Sequence, residues 1–324
     1  MTRLGAVSVD LDEIGCYRAI HGLPVRQDAA AHAVYDVALE RIATFVRELD
    51  VPLTVFAIGR DLARARSAEA VRALAGREGV EVENHSFSHR YDLSLLPRAD
   101  IAADVRAGAD AIAAVVDRRP VGFRAPGYMV SDTLFDALVD EGVAFDASVF
   151  PSPAYQAAKL GTLAYLGLAG RRSASIVGEP LAMIRAPADP YRPGGPWYVP
   201  GARPLIELPV AVTRGPRLPL IGTSVALAGE RGAGWLARAC VGRPLVSFEL
   251  HGIDFLDAND GLDDLAPHQP DLRVAVEDKR RRLASVVTTL RTHGYRFGTL
   301  ATAAESFLSP RSDPRYPATP RSWR

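Results

Sequence analysis

The chain has 324 residues, 48% of them apolar and 23% charged, an ordinary globular composition that excludes a disordered chain and is large enough for one α/β barrel. Its 38 basic and 38 acidic side chains cancel, so no cationic surplus points to nucleic acid or to a membrane surface. The first apolar run stops at Asp10, too early for a signal-peptide core, and no run is long enough for a transmembrane helix. The only two cysteines, Cys16 and Cys240, lie far apart, which is no disulfide framework; the expectation is a cytoplasmic protein, with Cys16 a plain buried thiol.

The elements alternate along the chain. Residues 5–9 read as a buried strand. Residues 28–49 read as a helix with Ala31, Val34, Tyr35, Ala38, Ile42, Phe45, Val46 and Leu49 on one face. Residues 52–58, rich in β-branched and aromatic side chains, read as a second strand. A helix over 60–75 follows, then a strand over 80–83. A helix is expected over 99–116 and a short strand over 121–123. Ser131 is a candidate N-cap for a helix through 141, followed by a strand over 143–146. Strands over 205–210 and 245–250, a helix over 273–293 and a last strand over 295–300 complete the series. Repeated βα units with short links imply a parallel sheet closed or nearly closed into a barrel.

Two regions break this rhythm. Residues 151–219 hold 12 of the 24 prolines, which favours extended loops over helices and suggests an insertion near the barrel mouth. Residues 309–324 are polar and Pro-rich and are expected to be a disordered tail. The expected organisation is one barrel domain over 1–308 with that insertion.

Catalytic groups of parallel α/β sheets sit at the C-terminal ends of strands. There the sequence places Asp10 and Asp12, then His85 and His89, then Arg124, Asp146, His251 and Asp254. Asp10 and Asp12 are two apart and point the same way in an extended segment. Judged alone, the pair could equally serve a loop after a strand. His85 and His89 suit a metal if the segment coils into one turn. The zinc-protease pattern needs a glutamate after the first histidine, and Ser86 excludes it. One carboxylate with two histidines is a fair site for zinc or another divalent ion. His251 titrates near neutrality and could serve as a general acid or simply be a satisfied polar residue.

At these spacings "SVDLDE", "NHSFSH", "FRAPGY" and "ELHG" resemble the polysaccharide deacetylase family, also called the NodB-homology or carbohydrate esterase family 4 domain, over about residues 5–300. The resemblance implies a distorted (β/α)7-8 barrel and one divalent metal ion, zinc first, with cobalt, nickel, iron or manganese as alternatives. It implies hydrolysis of an N-acetyl group on a sugar. Carried over by position, Asp12, His85 and His89 would hold the metal. Asp10 would be the general base, Arg124 would orient it, and His251 would be the general acid. Asp146 lies where the family often has an aspartate that tunes that histidine. Leu11 separates the two aspartates and Glu13 stands where the family has glycine, a D-x-D form resembling the branch with intracellular peptidoglycan-deacetylase-like and allantoinase-like members.

A backbone N–H near Tyr128 is expected to help hold the oxyanion. Tyr191, Trp197 and Tyr198 could stack on a sugar face, or plug a long loop. The expected substrate is a small or lipid-linked acylated amino sugar, and a homo-oligomer is left open. Rival readings are another C–N hydrolase on the same scaffold, a deformylase or allantoinase-like enzyme, and a non-catalytic carbohydrate-binding protein.

Overall fold

A computed structural model describes residues 3–308. The tail expected over 309–324 lies outside them. The elements run β1 (Arg3–Asp10), α1 (Ile14–Ile20), α2 (Leu39–Leu49), β2 (Leu53–Ala57), α3 (Ala65–Ala75), β3 (Val80–Asn84), α4 (Arg98–Val116), β4 (Gly122–Phe123), α5 (Asp132–Asp140) and β5 (Phe145–Asp146). They continue with α6 (Pro153–Leu168), α7 (Pro180–Arg185), β6 (Ile206–Glu207), α8 (Gly222–Cys240), β7 (Leu245–His251), α9 (Val276–Thr292), β8 (Tyr295–Phe297) and α10 (Leu300–Leu308).

All strand pairings are parallel, in the order β6-β5-β4-β3-β2-β1-β7, with β8 beside the first residues of β1. Parallel bridges Val210–Ser247 and Ile221–Glu249 join the chain after β6 back to β7. The sheet therefore curls into the distorted α/β barrel expected from the sequence.

The two faces of β1 explain its composition. Side chains alternate along a strand. Val7 and Val9 pack outward with Phe248 and Leu250 of β7 in the main core beneath the helices. Ala6, Ser8 and Asp10 point inward. The inward residues change character along the barrel axis. Ala6, Phe56, Phe145 and Ile206 fill the lower interior with Leu300 and Ala303 of α10, whereas Ser8, Arg124, Glu249 and Asp10 line the upper part. The alternation of "VEVENH" has the same origin: Val82 faces the helices, while Thr54 donates to Glu81 and the Val121 and Gly122 amides donate to Glu83.

The proline-rich stretch departs from expectation. It contains the 16-residue helix α6, because Pro153 occupies the first helical turn, where its missing N–H costs nothing, and Ser152 caps it by accepting from Tyr155 N–H at 3.2 Å. No proline follows until Pro180, which starts α7 in the same way. Helix α8 also arises where the sequence reading placed no element. The expected helix over 28–49 is continuous from Val34, but its first turn, Val34–Ala38, is a π-helix.

Candidate metal and catalytic centre

The loop after β3 is a tight turn held from three sides. Ser86 and His89 both take positive φ, 65° and 49°, and Ser86 Oγ accepts the His89 N–H at 2.9 Å. Helix α4 supports it: Asp104 accepts from the Phe87 amide at 2.8 Å and Asn84 donates to the Val105 carbonyl at 2.8 Å. Gly108 lies so close that a Cβ there would sit 2.4 Å from Asn84 Oδ1.

This turn aims both imidazoles at Asp12. His85 Nε2 is 3.2 Å from Asp12 Oδ1 and His89 Nε2 is 3.2 Å from Asp12 Oδ2. The far nitrogens are held too. His85 Nδ1 lies 2.7 Å from the Arg124 carbonyl, to which it donates, and His89 Nδ1 lies 3.5 Å from Cys16 Sγ. The Arg124 carbonyl fixes His85 Nδ1 as a donor, so loss of the Nε2 proton would leave a lone pair beside Asp12. Burial pushes the Asp12 carboxyl up, but the His89 and His85 imidazoles prevail and hold it well below the usual carboxylate range. Burial pushes the Cys16 thiol well up, with Asp12 adding to it, so the sulfur is a neutral thiol.

Asp12 Oδ1 and His89 Nε2 are buried and make no aligned hydrogen bond. One buried, unpartnered imidazole nitrogen and one such carboxylate oxygen, with His85 Nε2 3.2 Å from the same oxygen, form a donor set that suits a divalent cation. Asp12, His85 and His89 would hold it. Asp12, Cys16 and His89 also lie within 4.8 Å of one another. Cys16, however, meets the opposite edge of the His89 ring from Asp12, so one ion cannot take both as partners of that imidazole. Cys16 orients the ring.

A second cluster, Asp10, Glu249 and His251, lies beside the first and is also within 4.8 Å. It follows from register: Asp10 pairs with His251 and Ser8 with Glu249 across β1 and β7. Arg124 is fully buried and binds Asp10 Oδ1 at 2.5 Å, Ser8 Oγ at 3.0 Å and the Ala147 carbonyl at 2.8 Å, with its guanidinium 4.2 Å above the Phe56 ring. His251 Nδ1 is 2.7 Å from Glu249 Oε1, an ion pair by distance though not aligned as a hydrogen bond. Burial opposes the imidazolium, but Glu249 prevails and draws His251 well above its ordinary value. Asp254 accepts the His251 N–H at 2.8 Å and fixes the turn after β7.

Several expectations need correction. Asp146 does not touch His251. It accepts from the Ser148 amide and hydroxyl, and burial beside Glu207 raises both carboxyls. Glu249 is the carboxylate that tunes His251, and it was missed. The Tyr128 N–H is donated to the Ala125 carbonyl at 3.0 Å and is not free for an oxyanion. Tyr128 does line the cleft, its ring edge-on to His251. Trp197 and Tyr198 do not line it. Trp197 is 1% exposed and stacked on Phe135, in a satellite core beneath α4 and α5 against which Tyr198 packs. Tyr191 is buried, and its hydroxyl donates to the Trp197 carbonyl. Glu13 caps α1 and takes the Ile14 amide at 3.2 Å.

The two clusters open into a cleft of about 450 Å³. One wall is the strand ends with Asp10, Asp12, His85 and His251. The facing wall is α6, with Tyr155, Lys159, Thr162 and Leu163.

The family model described as polysaccharide deacetylase matches residues 33–145, a span that contains His85, His89 and Arg124 but ends before β7. No curated protein matches the chain. Among solved structures, a Mycobacterium smegmatis protein assigned as a polysaccharide deacetylase aligns with TM-score 0.59 at 17% identity, over 99% of this chain and 96% of its own. A family 4 pseudoenzyme from Bacillus anthracis aligns with TM-score 0.49 at 11% identity, over 94% of this chain and 66% of its own. A family 4 acetyl xylan esterase from Clostridium thermocellum, in complex with a cobalt ion, aligns with TM-score 0.48 at 16% identity, over 97% and 95%. The first of these is a likeness of fold along nearly the whole chain.

Proposed function

We propose, from the match of residues 33–145 to the polysaccharide deacetylase family model, that this chain belongs to that family and is a metal-dependent hydrolase removing an N-acetyl group from an amino-sugar-containing substrate. The observation that carries this reading is the adjacency of the two clusters. A cation-binding triad stands beside an acid–base pair in one cleft, and binding alone needs neither acid nor base.

A divalent ion held by Asp12, His85 and His89 would supply Lewis-acid polarisation of the acyl oxygen and acidify a water. The protein's own groups do the rest. Arg124 fixes Asp10 in one rotamer by a charge-assisted bond, leaving Asp10 Oδ2 toward the cleft as the general base. It lies 3.8 Å from His85 Nε2, where it could take a proton from the water that attacks the acyl carbon. Glu249 keeps His251 protonated, so that Nε2–H can be given to the leaving amine; without that proton the C–N bond would not break. Tyr128 stands edge-on to the His251 ring in the cleft wall. The products are acetate and a free amine.

Two free, buried cysteines suit a reducing compartment, and the reading keeps the cytoplasm. No described helix is long and apolar enough to cross a membrane. The test is metal analysis of the purified protein, then a screen for acetate and formate release from N-acylated sugars and ureides. One equivalent of metal with acetate release supports the reading. Formate release alone would move it to a deformylase, and ring opening of a ureide to an allantoinase-like enzyme.

A further inference from the structure

The α6 wall of the cleft differs in chemistry from the strand wall. Lys159 reaches into the cleft with Nζ 3.1 Å from the Gly127 carbonyl and 3.9 Å from Met129 Sδ. No carboxylate accompanies it. Among the described residues, the only acids lining the cleft are Asp10 and Asp12, and both are engaged by Arg124, His85 and His89. Burial lowers the Lys159 ammonium to about 8 with no charged neighbour contributing. It remains mostly protonated at neutral pH and is short of a counter-ion, a costly arrangement unless a ligand supplies one.

Farther along the same cleft the groups are again donors. His21 and His268 stand with ring centroids 5.8 Å apart. Arg171, just beyond the C-terminus of α6, has Nη1 3.5 Å from His268 Nδ1, and its Nη2 is buried without a partner. The cleft thus carries its acids at the triad end and Lys159 on the α6 wall, with Arg171 standing behind His268 at the far end.

We infer that the α6 wall is an anion subsite, taking a phosphate group borne by the same acylated amino sugar, with Lys159 as its first contact and the Arg171–His268 pair as its outer boundary. The inference rests on the deacetylase reading of the cleft. Lys159 lies one helical turn beyond Tyr155, about 6 Å along the axis, on the wall that faces Asp10, Asp12, His85 and His251. Phosphate suits this wall better than a single carboxylate because the nitrogen groups come from separate segments, Lys159 on α6, Arg171 just after it and His268 before α9, and a tetrahedral anion has several oxygens to offer them. The phosphate could belong to a soluble sugar phosphate or to a lipid-linked one.

The test is calorimetric binding to the full chain as purified, using N-acetylglucosamine, N-acetylglucosamine 1-phosphate and its octyl phosphodiester. The monophosphate should bind at least about tenfold more tightly than the neutral sugar, the size of one charge-assisted contact. Lys159→Gln should close that gap and Lys159→Arg should keep it. Arg171→Gln, on a partly exposed side chain, should narrow it if Lys159→Gln fails to fold. An octyl ester that binds more tightly still assigns the lipid-linked source; equal binding assigns the soluble one. Equal affinity for the neutral and phosphorylated sugars, or a gap that survives Lys159→Gln in folded protein, overturns the inference. Because the readout is binding, a phosphate preference without acetate release would leave this subsite standing and sink the deacetylase reading alone.

Discussion

The two walls of the cleft are built by different means. On the strand wall every functional side chain has a second contact that fixes it: Arg124 on Asp10, the Arg124 carbonyl on His85, Cys16 on His89, Glu249 on His251. On the α6 wall, Lys159 and Arg171 hold few partners, and some of their donor capacity is unspent. The lesson is a division of labour. Groups that must move protons are immobilised on the sheet, where a small misplacement is costly. Groups that would meet the rest of the substrate ride on a helix inserted between neighbouring strands.

That contrast can be broken on the strand wall first. Asp10→Asn and His251→Ala should each lower kcat by roughly 10²–10⁴, the range for one acid or base, with metal content by elemental analysis unchanged. Near-wild-type turnover in either would remove the proton-transfer assignment. Next in size is Trp197→Ala, read by chemical denaturation. Emptying its place against Phe135 should cost about 3–5 kcal/mol of stability. KM should hold in the folded fraction; a large rise in KM without loss of stability would return Trp197 to the substrate.

Glu249→Gln sharpens the comparison through pH. Glu249 holds His251 in its protonated form, so activity should persist until pH rises past the raised imidazolium value. Without the carboxylate the alkaline limb of the kcat profile should move to lower pH, and a limb that stays in place would dissociate Glu249 from His251. The smallest effect is expected for Gly108→Ala. Alanine favours a helix, but its Cβ would meet Asn84 Oδ1 and the Ser86 backbone. Overpacking should therefore win by about 1–3 kcal/mol, and metal affinity should weaken as the turn shifts.

The strand wall was legible in the sequence because polar residues at strand ends are local signals. Asp10, Asp12, His85, His89, Arg124 and His251 could be named from position alone, and the structure brings them together. Glu249 could have been named as well. It stands two residues before His251, and the alternation rule that paired Asp10 with Asp12 applies equally to "FELH". The α6 wall is hidden by the high proline content of 151–219 as a whole, although residues 154–179 contain none. Trp197 misled for another reason. An aromatic side chain in a Gly- and Pro-rich segment carries no local sign of the distant Phe135 that buries it.

Strands β5 and β6 pair directly, with Ile206 N–H on the Ala144 carbonyl and Leu208 N–H on that of Asp146. The chain between them therefore leaves and re-enters the barrel at neighbouring points about 5 Å apart, as a closed excursion. Changing the length of such a loop costs little, about 0.6 kcal/mol per doubling. The tolerance is uneven. Met183, Trp197 and Leu205 are wedged into the satellite core, while α6 buries only Gln156 and Leu166. The segment over 153–179 is thus the part of this scaffold that could be exchanged to retarget the cleft, leaving the barrel and its proton-moving residues untouched.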